Sequence, residues 1–241
     1  MIRVLINGAN GKMGQACVKA VTADPDLSLV GQCDRESHLK EAIQHTQAEV
    51  VIDFTNADSI FQTMETIIAA KAHPVIGTTG LLKHQIEQFQ KQCEQEKLGG
   101  IIAPNFSLGA VLLMKCAQEI MPYFPNVEII EMHHDGKLDS PSGTAIRTAE
   151  GLVTANTPHP PKPSKEILPG ARGAIYQGIP IHSVRLPGLI AHQQILFGSP
   201  YETLTLRHDT TDRQCFMPGV LLACKKVIKL DSLVIGLETI L

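Results

Sequence analysis

Through its first hundred or so residues the chain alternates short apolar runs with segments of helical period. The runs IRVLIN (2–7), LSLVGQ (27–32), VVIDF (50–54), HPVIG (73–77) and GIIAP (100–104) read as strands. Their nearly unbroken apolar character is that of strands covered on both faces. Between the first two, Met13, Ala16, Cys17, Ala20 and Val21 recur at i, i+3, i+4, i+7 and i+8, one apolar stripe along a helix. Segments 59–72 and 83–97 carry the same period. Strand, helix and strand in repetition demand right-handed crossovers, and these build a parallel sheet. An α/β fold follows.

The pattern changes after Asn105. VEIIEMHH (127–134), IPIHSVRL (179–186), HQQILF (192–197) and YETLTLRHD (201–209) follow one another with few helices between them. LPGL (186–189) and GSP (198–200) read as hairpin connections. A second, smaller domain with a mixed or antiparallel sheet is expected, with helices over 109–121 and 143–155 covering one face. The Pro-rich stretch 156–173 has no period and reads as a long loop. The tail returns to apolar helical patterns and is expected to pack back on the first domain. The expected division is therefore 1–106 with 214–241, and 107–213.

A chain of 241 residues, 44% of them hydrophobic, suffices for one large domain or two small ones. A net charge of −3 gives no electrostatic case for nucleic acid or an anionic membrane as partner. No apolar run approaches the ~18 residues that span a bilayer, and a strand pattern follows Met1 at once, so no secretory leader is expected. The six cysteines are scattered, without C-x-x-C pairing, as reduced thiols of a cytoplasmic protein would be.

NGANGKMG (7–14) follows the first strand and opens the first helix. Gly8, Gly11 and Gly14 give G-x-x-G-x-x-G, one step from the dinucleotide fingerprint, and meet the same need: backbone close to a pyrophosphate that rests on helix N-terminal amides. Asp34 ends the second strand, twenty residues after Gly14, where an acid would accept hydrogen bonds from an adenosine ribose. Arg35 beside it and Lys12 in the turn suit a 2′-phosphate instead, so NADH and NADPH both remain open. GTTG (77–80) and APNFS (103–107) follow predicted strands and would border the same crevice.

The stretch EMHHDGKLDSPSGTA (131–145) concentrates the remaining chemistry. Metal binding is disfavoured: consecutive His133 and His134 leave opposite faces of a strand, and no ligand set accompanies them. No metal is expected. Ser142 reads as the N-cap of a helix whose apolar positions are Ala145, Ile146, Ala149 and Leu152. Free amides at Gly143 and Thr144 would then hold an anion. With the ammonium of Lys137 and two imidazoles, side chains that exchange protons near neutral pH, this is a pocket for a carboxylated substrate and a proton donor.

EMHHDGKLDSPSGTA, with NGANGKMG, GTTG and APNFS in this order and DRQCFMPG (212–219) in the tail, resembles the 4-hydroxy-tetrahydrodipicolinate (dihydrodipicolinate) reductase family of bacterial lysine and diaminopimelate synthesis. The resemblance implies NADH- or NADPH-dependent reduction of a small cyclic imine dicarboxylate. It implies a Rossmann-like dinucleotide-binding domain, a mixed α/β domain with an open sheet, and a homotetramer. By position, His133 would be the general acid and Lys137 its paired cation, with His134, Ser142, Gly143 and Thr144 on the substrate carboxylates. Gly8, Asn10, Gly11, Lys12, Met13 and Gly14 would cradle the pyrophosphate, and Asp34 and Arg35 the adenosine ribose. Gly77, Thr78, Thr79, Pro104, Asn105, Phe106, Ser107, Arg213 and Phe216 would complete the cofactor site. Ser140 replaces the family's usual alanine, and the segment between Arg35 and Val50 is shorter than is common there. Two rivals use the same nucleotide domain: an amino-acid or aldehyde dehydrogenase, and a nucleotide sensor without turnover.

Overall fold

The computed structural model describes residues 1–241. In chain order its elements are β1 (Ile2–Asn7), α1 (Lys12–Ala23), β2 (Leu27–Cys33), α2 (Leu39–Thr46), β3 (Val50–Asp53), α3 (Ile60–Ala69), β4 (His73–Ile76), α4 (Lys83–Gln95) and β5 (Gly100–Ile102). There follow α5 (Leu108–Ile120), β6 (Asn126–His133), α6 (Gly143–Ala155), β7 (Ala174–Tyr176), β8 (Ile179–Arg185), β9 (Ala191–Ser199) and β10 (Glu202–Thr210). A 3-10 turn (Arg213–Phe216), α7 (Met217–Val227) and β11 (Leu233–Ile235) close the chain. Two compact units result: Met1–Leu108 with Arg213–Leu241, and Gly109–Asp212.

The first unit is a six-stranded sheet in the order β2-β1-β3-β4-β5-β11, parallel throughout. Strand alternation sends Leu5, Val51, Ile76 and Ile102 to one face, where they meet Ile43 of α2, Met64 and Ile67 of α3, and Phe89 and Cys93 of α4. Each such apolar side chain, once buried, contributes about 1.5–3 kcal/mol. On the other side α1 touches α7, which lies against β1, β4 and β5. Both faces are covered, as unbroken apolar strands require. The short segment after Arg35 holds α2, unforeseen because Ile43 is its only buried residue. The tail supplies a strand as well as a helix: β11 pairs with β5. Burial pushes the thiols of Cys17 and Cys93 up to about 12 and about 11, which leaves them inert packing groups.

The second unit is a mixed sheet in the order β10-β9-β6-β8-β7. Leu113, Ala117 and Met121, with Ala145, Ala149 and Leu152 of α6, pack on Val127, Ile129, Ile181, Ile195 and Phe197, so α5 and α6 cover one face. GSP does join an antiparallel pair, β9 and β10. LPGL does not. β8 runs parallel to β6 and β9 antiparallel to it, so the 186–189 connection passes over the end of β6 and closes no hairpin. Its glycine has a turn conformation (Gly188, φ +87), but the amide of Leu186 donates to His133 O at 3.1 Å, which ties the exit of β8 to β6. The hairpin that was overlooked joins β7 to β8 through Gln177 and Gly178, both at positive φ, as two-residue hairpin turns demand.

Candidate active site

In the first sheet the connections change direction at β1 and β3, since β2 lies to one side and β4 and β5 to the other. Such a point opens a crevice at the carboxyl ends of the strands. The glycine turn lies here. Gly8 has φ +83 and its amide donates to Cys33 O at 2.9 Å, while Gly11 donates back to Gly8 O at 3.0 Å and becomes the N-cap of α1. Lys12, Met13 and Gly14 form the first turn of that helix, which carries no acidic side chain. A Cβ on Gly14 would stand 2.0 Å from Gly8 O. Beside the turn is a cavity of about 1190 Å³ lined by Gly8, Asn10, Gly11, Asp34, Arg35 and Thr55 among others.

Asp34 is preset. The Ser37 hydroxyl and the Glu36 amide donate to its Oδ1 at 3.0 Å each, and Asn10 Nδ2 donates to Oδ2 at 2.8 Å. The Ser37 bond first, then those from Glu36 and Asn10, hold this exposed carboxyl below its usual range. Arg35 next to it is exposed. A bare-backbone turn, an open helix N-terminus and an oriented acid fit a dinucleotide.

The other cofactor candidates lie in the same unit but do not line that cavity. Thr78 is buried and donates to Asp53 Oδ1 at 2.7 Å, whereas Thr79 and Pro104 are exposed. Asn105 Oδ1 accepts from the Ser107 amide at 2.8 Å. Phe106 is buried edge-on against Phe54, with ring centroids 5.8 Å apart, and a Cβ on Gly77 would enter the Phe54 ring. Arg213 is exposed and Phe216 half-buried on the 3-10 turn, which touches α1. One residue had been passed over. Asp53 is fully buried at the end of β3 and accepts from Asn7, Thr55 and Thr78, drawing the end of β1 and the segments after β3 and β4 together. A lone acid ending an apolar run was its only mark in the sequence.

The second site is in the second unit. Glu131 and His133 alternate onto the same face of β6. The Glu131 side chain is 0% exposed, and donors from four residues converge on it. Oε2 accepts from His133 Nδ1 at 2.6 Å and Arg185 Nη1 at 2.9 Å; Oε1 accepts from Arg185 Nη2 at 2.8 Å and the Ser142 amide at 3.2 Å. Burial alone would raise this carboxyl. The bonds from His133, Arg185 and Ser183, with the guanidinium charge, outweigh it and bring it down to about 2. These donors favour the carboxylate form of Glu131.

Ser142 is the N-cap of α6, its Oγ accepting from the Ala145 amide at 3.2 Å. The amides of Gly143 and Thr144 fall in the first turn, where helix geometry gives them no partner. A Cβ on Gly143 would meet nothing within 4 Å, so the space beside this residue is open. Lys137 Nζ is paired with Asp139, at 2.6 and 2.8 Å to its two oxygens, and Arg185 Nη2 donates to Asp139 O at 2.7 Å. His134 is half-buried, one residue beyond β6. The structure thus links His133, Ser142 and, through Asp139 and Arg185, Lys137. Glu131, Arg185 and Asp139 escaped the sequence reading. Arg185 faces His133 across the β6–β8 pairing, a neighbour no local spacing reveals.

A Rossmann-like parallel sheet accompanied by a second, mixed sheet is the architecture of a class of nucleotide-dependent oxidoreductases. Residues 2–106 match the family model described as dihydrodipicolinate reductase, N-terminus, and residues 109–241 the one described as dihydrodipicolinate reductase, C-terminus. A 4-hydroxy-tetrahydrodipicolinate reductase of Coxiella burnetii is 55% identical over 240 residues, covering 100% of this chain and 99% of the relative. One from Legionella pneumophila is 49% identical, with 99% of each covered. The solved dipicolinate-bound dihydrodipicolinate reductase of a Paenisporosarcina species superposes with a TM-score of 0.94 at 44% identity, over 100% of both chains. The chain belongs to the dihydrodipicolinate reductase family.

Proposed function

We propose that this protein reduces 4-hydroxy-tetrahydrodipicolinate to tetrahydrodipicolinate, with loss of water, on the route to diaminopimelate and lysine. The observation that carries the reading is the junction, inside one unit, of an imidazole held by a buried acid with an uncovered helix N-terminus. A dicarboxylate needs anion-binding donors, and its reduced ring needs a proton. Both are here. The amides of Gly143 and Thr144, with Ser142, His134 and Lys137, hold the carboxylates and orient the ring. His133 donates the proton that balances the incoming charge. Lys137, paired with Asp139 in this structure, turns its ammonium to the substrate as well.

When bound, a reduced nicotinamide supplies the hydride. Gly8, Asn10, Gly11, Lys12, Met13 and Gly14 would hold its pyrophosphate and Asp34 and Arg35 its adenosine ribose. Gly77, Thr78, Thr79, Pro104, Asn105, Phe106, Ser107, Arg213 and Phe216 would border the rest. Asp34 suits a 2′-hydroxyl and Arg35 a 2′-phosphate, so we propose that NADH and NADPH are both used. A spectrophotometric assay with substrate generated by the preceding synthase tests this. Both nucleotides should be oxidised, and Asp34→Ala should weaken NADH about tenfold more than NADPH. No oxidation of either nucleotide refutes the reaction; equal losses in the variant remove Asp34 from ribose recognition.

We also propose a homotetramer built on the second sheet. α5 and α6 cover one of its faces, and the other carries half-exposed Ile130, Met132, Val184 and Leu196. Native mass measurement should return four chains, and a monomer would end this reading. A cytoplasmic location suits the inert, buried thiols of Cys17 and Cys93.

A further inference from the structure

We infer that Glu131 is a positioning residue: it sets the tautomer and aim of His133 and, with its other oxygen, fixes the helix cap that holds the substrate carboxylate. The inference rests on the proposed role of His133 as proton donor.

The argument starts from donor and acceptor count. An ionised carboxylate only accepts, so the 2.6 Å contact between Glu131 Oε2 and His133 Nδ1 requires the proton to be on Nδ1. Nε2 is then the bare nitrogen of the neutral ring and the one that gains and gives up the catalytic proton. Without that contact the ring is free to take the other tautomer and to rotate about its side-chain bonds. Glu131 itself cannot drift, because Arg185 grips it with both Nη atoms and its side chain is wholly buried. Its Oε1 accepts from the Ser142 amide, so the start of α6 is referenced to the same rigid group. One carboxylate therefore fixes both the donor, two residues away in sequence, and the substrate's anchor, eleven residues away. A purely structural ion pair needs only Arg185; the bond to the imidazole and the bond to the cap are what a positioning role adds.

The test is a set of four proteins: wild type, Glu131→Gln, His133→Gln and the double variant, each with steady-state kcat and KM measured. Glu131→Gln should lower kcat roughly 10–100-fold, a part of the whole general-acid contribution. KM should rise with it, through the loosened cap. In the His133→Gln background the same change should lower kcat less than about twofold, since there is no imidazole left to position, while the rise in KM persists. Wild-type kcat in Glu131→Gln overturns the inference, and so does an equal loss of kcat in both backgrounds, the mark of a general structural role. If His133→Gln alone keeps full turnover, the proton-donor reading falls and this inference with it. Loss of turnover in His133→Gln with additive effects of Glu131→Gln defeats only the inference.

Removing the carboxylate strands a guanidinium, so the variant can fail to fold. Nitrogen NMR of the wild type then decides. The histidine resonance that disappears in His133→Gln should, in its neutral form, report a proton on Nδ1; a proton on Nε2 overturns the assignment.

Discussion

His133→Gln is expected to lower kcat by about 10²–10⁴ while KM changes less than roughly threefold. The reasoning is differential. Glutamine retains an amide donor that can still reach Glu131, and Arg185 continues to neutralise that acid from both Nη atoms, so the buried cluster stays closed. What glutamine cannot do is surrender a proton. The substrate carboxylates are assigned to the open amides of α6, which the substitution leaves alone, so ground-state binding should persist. A loss confined to kcat corresponds to about 3–5 kcal/mol of transition-state stabilisation at ~1.36 kcal/mol per decade. Steady-state kinetics with the purified variant reads it directly. Near-wild-type turnover removes His133 from the chemistry, and a rise in KM alone makes it a binding residue.

What the sequence revealed of this site, and what it concealed, divides along chain separation. Ser142 as N-cap and the turn at Gly8–Gly14 are local: cap and glycine chemistry are written within a few positions. The five apolar runs of the first unit needed only their unbroken apolar character, and the helical segments between them, to be read as buried parallel strands. Glu131 and Arg185 are 54 residues apart, and their meeting is decided by the register that sets His133 against Arg185. A strand pattern tells which face a residue takes, and nothing about who stands opposite. LPGL misled for the same reason. Its turn chemistry is real, but whether a turn joins neighbours depends on which strand fills the gap, and here β6 does. Asp53 was hidden differently: as the last letter of an apolar strand it looks like a boundary, and its three partners come from the end of β1 and the segments after β3 and β4.

The glycine turn allows a test in which helix propensity and packing give opposite signs. In an ordinary helix Gly→Ala stabilises by about 1 kcal/mol. Gly14 is helical, in the first turn of α1, so propensity alone favours Gly14→Ala. Packing forbids it. The added methyl would lie 2.0 Å from Gly8 O, 2.7 Å from Ala9 Cα and 2.8 Å from Ala9 C, all backbone atoms that no rotamer change can move aside. Relief requires the turn to open, which pulls Gly8 and Gly11 away from the helix N-terminus they now crowd against. Overpacking of this kind costs roughly 1–3 kcal/mol or more. If that strain falls on the nucleotide-competent form of the turn, affinity drops by about 10- to 100-fold or beyond. Titrating NADH and NADPH against Gly14→Ala, with thermal unfolding alongside, should show both nucleotides weakened together and a lower Tm. The loss should be common to the two, because the pyrophosphate is their shared part, in contrast to the selective effect expected at Asp34. Unchanged affinity for both would mean that the pyrophosphate is seated somewhere other than this turn, and a raised Tm would mean that the contacts at Gly8 and Ala9 yield more readily than backbone should.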